Sequence, residues 1–227
     1  MQEYRSILQP VATCLDELQG EKTAYMGNLL PKLCLLRGSL KDAAENVTLN
    51  HAKALALTLQ RAFEKRFAQL FEKDELLLAT AVHPHWSLEA VVSLAPDKDR
   101  LIKNKMLQEL VEASMIEPAP LPAEAPQMSE REIPEDERIY KFLLSRRPAT
   151  EVVRSRREEE LTDYFDKVIA RWERTPTTIP LARKLFPIEH REAWVSVFLK
   201  YNTPLPSSAA VEHIFSTAGD IIKPKKA

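Results

Sequence analysis

Apolar residues at steps of three and four mark one segment of this chain after another, and that spacing is the period of an α-helix. From Glu3 to Leu18 the stripe is Tyr4, Ile7, Leu8, Val11, Leu15 and Leu18, with Pro10 placed to bend it and Gly20 to end it. A second helical pattern, Tyr25 to Leu40, carries Leu29, Leu30, Leu33, Leu36 and Leu40, with Pro31 as a candidate kink. The longest pattern starts from Thr48, a capping residue by type, and runs to about Lys73 through Leu55, Leu59, Phe63, Phe67 and Leu70. Leu76 to Val82 is a short apolar run that stops at His83-Pro84-His85-Trp86. Asp99 to Met115 is helical again, with Leu101, Met106, Leu107, Leu110 and Val111 as its expected buried set.

Composition then changes. Pro118, Pro120, Pro122, Pro126 and Pro134 fall among Ala, Glu and Ser, a linker composition with too little apolar surface to offset its ordering entropy. The organisation expected is therefore a helical region over 1–116, a Pro-rich disordered linker over 117–134, and a second helical region over 135–227. In the last, Glu135 to Arg146 reads as a short helix. Glu151 to Arg174 reads as a long one, with mixed charges from Arg154 to Glu160 that fit a solvated face. Ile179 to Phe186 and Glu189 to Tyr201 read as two more.

Four glycines in 227 residues argue against a turn-rich all-β fold, and the expected class is mainly α. A net charge of −1 gives no global attraction to nucleic acid, so DNA binding is not expected of this chain alone. Cys14 and Cys34 are too few for a disulfide framework and read as reduced core residues. No apolar run approaches the roughly 20 residues of a membrane span, and no membrane partner is expected. These features fit a nuclear protein, with the cytoplasm as the other compartment.

Residues 202–222 carry the run Ser207-Ser208-Ala209-Ala210-Val211-Glu212-His213-Ile214-Phe215-Ser216. It resembles the C-terminal signature of hobo/Activator-type (hAT) DNA transposases, in which a Ser-Ser-Ala-x-x-Glu-Arg-x-Phe-Ser run opens a long helix. His213 stands here where that family has Arg. Two further blocks are similar to the family's helical insertion domain: Tyr4 to Pro10 with Leu15 to Glu21 and Tyr25 to Pro31, and Ala79 to Trp86 with its His-Pro-x-aromatic turn. The resemblance implies that 1–116 corresponds to the insertion domain and 135–227 to the terminal dimerisation region, a remnant of a split RNase H-like fold. It also implies that Glu212 matches the third catalytic carboxylate, while the sheet carrying two aspartates and the BED-type zinc finger are expected to be absent.

Two-metal phosphoryl chemistry needs several carboxylates around cations roughly 3.5–4 Å apart, and one Glu cannot hold that cluster. Glu212 is equally well placed as a first-turn residue of a helix capped by Ser208, where the dipole favours a negative charge by about 0.3–1 kcal/mol. His83 and His85 lack a third metal ligand at credible spacing, and turn packing beside Trp86 is the favoured reading. Lys223, Lys225 and Lys226 read as a solubilising terminus. No cofactor and no metal are expected.

The aromatic set Phe165, Trp172, Trp194, Phe198, Tyr201 and Phe215 fits a closed core or, in part, an interface. The functional expectation is a catalytically inactive, transposase-derived dimerisation module. Its partner would be a second copy or a related transposase-derived protein. The expected interface residues are Trp194, Phe198, Tyr201, Val211, Ile214 and Phe215. The alternative is a fragment of a metal-dependent transposase that needs a missing half with two aspartates.

Overall fold

A computed structural model of the chain describes residues 2–19, 25–46, 51–116 and 149–203. Among these it forms eight α-helices, three short 3-10 turns and no strand, so the protein is mainly α. The expected linker, the expected helix at 135–146, Thr48, and the whole block from 204 to 227 lie outside the described residues.

Helix α1 (Gln2–Gln19) runs through Pro10 and turns Ile7, Val11, Cys14 and Leu18 inward. A 3-10 turn at Met26–Asn28 leads into α2 (Leu29–Glu45). Pro31 is the third residue of α2, where a backbone N–H has no intrahelical acceptor, so it opens the helix and costs no hydrogen bond. Helix α3 (Lys53–Phe67) begins later than its stripe suggests. The N–H groups of His51 and Ala52 both donate to Glu3 Oε2 at 2.9 Å, so a carboxylate from α1 satisfies the start of α3. The end of the expected long helix tightens into a 3-10 turn at Ala68–Glu72.

Helix α4 (Asp74–Ala81) is the central element. Leu77, Ala79, Thr80 and Ala81 are each 0 % exposed, and α4 touches α2, the short α5 (Ser87–Leu94), α6 (Asp99–Ile116) and the last described helix. The sequence assigned no element to α5, which spans eight residues and starts from a left-handed Ser87 (φ 55) directly after the His-Pro turn. In α6 the buried stripe is Ile102, Met106, Leu110 and Val111; Leu101, expected inside, is 45 % exposed, and Leu107 is half-buried. Ile102, Met106 and Leu110 succeed one another at four-residue steps, which rotates Leu101 out of the contact.

Helix α7 (Ala149–Arg171) packs on α6 through Leu161, Phe165 and Ile169. Helix α8 (Arg191–Asn202) packs on α6 and α4 through Ala193, Trp194, Val197 and Phe198. Between α7 and α8 the chain is mostly not helical. The expected helix over Ile179 to Phe186 is reduced to a 3-10 turn at Arg183–Leu185, because Pro180 and Pro187 interrupt it. This strap crosses the His83–Trp86 turn, with the Thr175 N–H donating to Pro84 O at 2.7 Å.

The two helical regions therefore share one core: Leu161, Phe165, Ile169, Phe186, Trp194 and Phe198 join the same cluster as Leu33, Phe63, Leu77 and Ile102. Phe165 is 0 % exposed, and Phe165→Ala is expected to cost about 3–5 kcal/mol. Urea unfolding should remain one transition, shifted as a whole. Two transitions, one of them unmoved, would contradict a shared core.

Candidate functional site

Three of the six expected interface residues are described, and two of them, Trp194 and Phe198, point inward. Trp194 is 1 % and Phe198 5 % exposed. Trp194 meets Trp172 at 4.6 Å and Phe165 at 6.3 Å between ring centroids, while Phe198 meets Tyr25, His83 and Phe186 at 5.4–5.6 Å. These rings close the chain's own core, the first of the two readings open to the aromatic set. Tyr201 is half-buried and donates to Glu109 Oε1 at 2.6 Å; burial, reinforced by Glu109, pushes its phenol up to about 12. Val211, Ile214, Phe215 and Glu212 lie outside the described residues.

Beneath these rings is a buried polar node. The Asn202 side chain accepts the Gly27 N–H at 2.7 Å and donates to Ala79 O at 3.1 Å, while the single Thr80 hydroxyl proton is shared between Leu76 O at 3.0 Å and Gly27 O at 3.3 Å. A Cβ on Gly27 would lie 2.5 Å from Ala79 O and 2.7 Å from Asn202 Oδ1, so only glycine fits there. Periodicity has no means of flagging this node, because Asn202 and Thr80 are single polar residues on otherwise apolar helix faces.

His83 stands beside the node at 1 % exposure. Its Nδ1 accepts the His85 N–H at 3.2 Å, which places the ring proton on Nε2, a buried atom with no hydrogen-bond partner. Burial, and then the neighbouring His85, lowers its pKa to about 3. His85 Nε2 donates to Ile179 O at 3.0 Å and pins the strap. Among the described residues no group of three or more His, Cys, Asp or Glu is arranged to hold a metal ion; His83 is packed in the core and His85 holds the strap to the turn. A cavity of about 510 Å³ beside them is walled by the Glu17–Lys32 ion pair (2.8 Å), which leaves it no net charge.

Cys14 is buried, and burial, followed by Glu17, pushes its thiol up to about 11, the behaviour of an inert core residue. Cys34, expected in the core, is exposed instead, because the inward stripe of α2 is Leu33, Leu36 and Leu40.

Cys34 lines a groove of about 560 Å³ between α2 and α5. Its floor is apolar, from Pro31, Leu35, Trp86, Ala90 and Leu94, with Asp42, Glu89 and Arg174 at its rim. Leu35 is 67 % exposed, and Gly38, one turn on, has nothing within 4 Å of where a Cβ would sit. A glycine inside a helix costs about 0.5–1 kcal/mol relative to alanine, and no close approach among the described residues requires one here.

Compared with protein-family models, curated proteins and solved structures, the chain matches none.

Two outcomes follow for the node. Asn202→Ala leaves the Gly27 N–H and the Ala79 carbonyl without their side-chain partner, and should lower stability by at least about 2 kcal/mol in urea titrations. His83 is neutral when folded, with its pKa depressed from 6.5 to about 3, so its contribution is complete above pH 6.5 and declines as pH falls toward 3. The stability gap between the native chain and His83→Gln should narrow by about 1.4 kcal/mol per pH unit below 6.5. Parallel pH profiles would show that the ring takes up protons freely in the fold.

Proposed function

We propose that this chain is a transposase-derived module without a catalytic step of its own, whose activity is association with a second copy of itself or with a related chain. The identity half of this reading rests on the Ser208 to Ser216 run, the insertion-like blocks and their order along the chain. In it the helices are the remnant of a split RNase H-like fold, joined by the Pro-rich segment 117–134, and the protein acts in the nucleus. No helix among the described residues is long and apolar enough to cross a membrane, which fits a partner met in water.

The observation that carries the association half is the α2–α5 groove. Among the described residues the aromatic rings close the core, yet an apolar groove of about 560 Å³ remains, with Leu35 standing out at its edge. Contiguous apolar surface left on a finished core is the mark of a contact between chains. Trp194 and Phe198 support it from inside by fixing α8 and α4, the helix behind α2 and α5. Val211, Ile214 and Phe215 remain as candidates for a second part of the contact.

The test is the mass of the purified full chain by light scattering over a concentration series. A reversible dimer is expected, and Glu212→Ala should leave its mass unchanged while any strand-transfer activity would be lost. A concentration-independent monomer contradicts self-association.

A further inference from the structure

We propose that the α2–α5 groove is a two-fold contact in which α2 of one copy lies antiparallel on α2 of a second copy. This rests on the self-association reading above and specifies its geometry. Leu35 projects from α2 at 67 % exposure, and Gly38, three residues along the same face, leaves open space above the backbone. A projection and a hollow on one helix are self-complementary under a two-fold axis, because such an axis repeats every contact with the roles exchanged. With the axis between residues 36 and 37, each Leu35 sits over the Gly38 of the other copy. The absence of a side chain at Gly38 lets the two helices come close.

The charges obey the same symmetry. One end of the groove is fixed by Trp86, whose Nε1 donates to Asn28 Oδ1 at 2.7 Å. Arg174 lies at that end, 3.8 Å from Glu89 and largely exposed. Asp42 lies toward the other end of α2, about 16 Å from Pro31 at the helical rise, and is in no ion pair among the described residues. Antiparallel pairing carries each Asp42 to the Arg174 end of the other copy. The unpaired acid of one chain then meets the arginine of the other at both ends of the contact. This complementarity selects a second copy as the occupant over an unrelated apolar helix.

Gly38→Gln and a charge-reversal pair test the arrangement in the full chain, by sedimentation velocity with thermal melts alongside. Gln is a better helix former than Gly and enters open space, so the fold should hold or gain stability while the hollow is filled. We expect Gly38→Gln to weaken the dimer at least about tenfold with an unchanged or higher Tm. Asp42→Arg should weaken it as well, and adding Arg174→Asp to that variant should restore it. A dimer that persists unchanged in Gly38→Gln and Asp42→Arg overturns this geometry while leaving self-association standing. A dimer lost in Asp42→Arg but not recovered in the double variant overturns the charge pairing and with it the antiparallel register. A wild-type chain that stays monomeric overturns both.

Discussion

One side-chain amide holds the two halves of this chain in register. Asn202, at the last turn of α8, accepts a hydrogen bond from the backbone of Gly27 and gives one to the backbone of Ala79. These three positions lie on three different elements, and each backbone group would be a buried, unpaired dipole without the amide. A buried polar group is inexpensive only when its partners are placed correctly, so the node fixes distance and rotation where apolar packing alone tolerates slippage. Gly27 completes it by leaving room for the carbonyl of Ala79 to approach.

Around that point the core grows outward by stacking rings. Tyr25, His83 and Phe198 lie against one another, Phe186 from the strap joins them, and Trp172, Trp194 and Phe165 extend the set to α7. The strap is tied down twice, at Pro84 O and by His85, so the turn between α4 and α5 is covered by chain from far along the sequence. Among the described residues, Phe165, Phe186, Trp194 and Phe198 are all used in this interior. The other side of α2, where Leu35, Cys34 and Gly38 are exposed, is the face proposed for the contact.

Most of the helices were legible because burial of one face forces a three-and-four repeat, and α1, α2, α3, α6 and α8 each follow it. The misses have local causes. Helix α5 is two turns long and follows a proline turn, so it offers too few residues for a period to register. Pro180 and Pro187 overrode the apolar pattern of Ile179 to Phe186, since a chain with fixed φ and missing donors does not hold a helix there. The start of α3 depended on Glu3, about fifty positions earlier, which no local reading reaches. Association is expected from the resemblance and from apolar surface left over, and it stands as a proposal; the α2 face proposed for it is not among the residues the sequence singles out. Trp194 and Phe198 have the composition of interface anchors, and only the packing of α8 on α4 and α6 assigns them to the interior. Gly38 gave no sign of itself until the space above it was seen to be empty.

The most direct test of a two-fold α2 contact uses a mixed sample, in which copies labelled only on leucine methyl groups are combined with copies labelled only on backbone amides. The account predicts a nuclear Overhauser effect between the Leu35 methyls of one population and the Gly38 amide of the other. Its absence in a sample that sediments as a dimer would contradict the α2 face as the place where two chains meet.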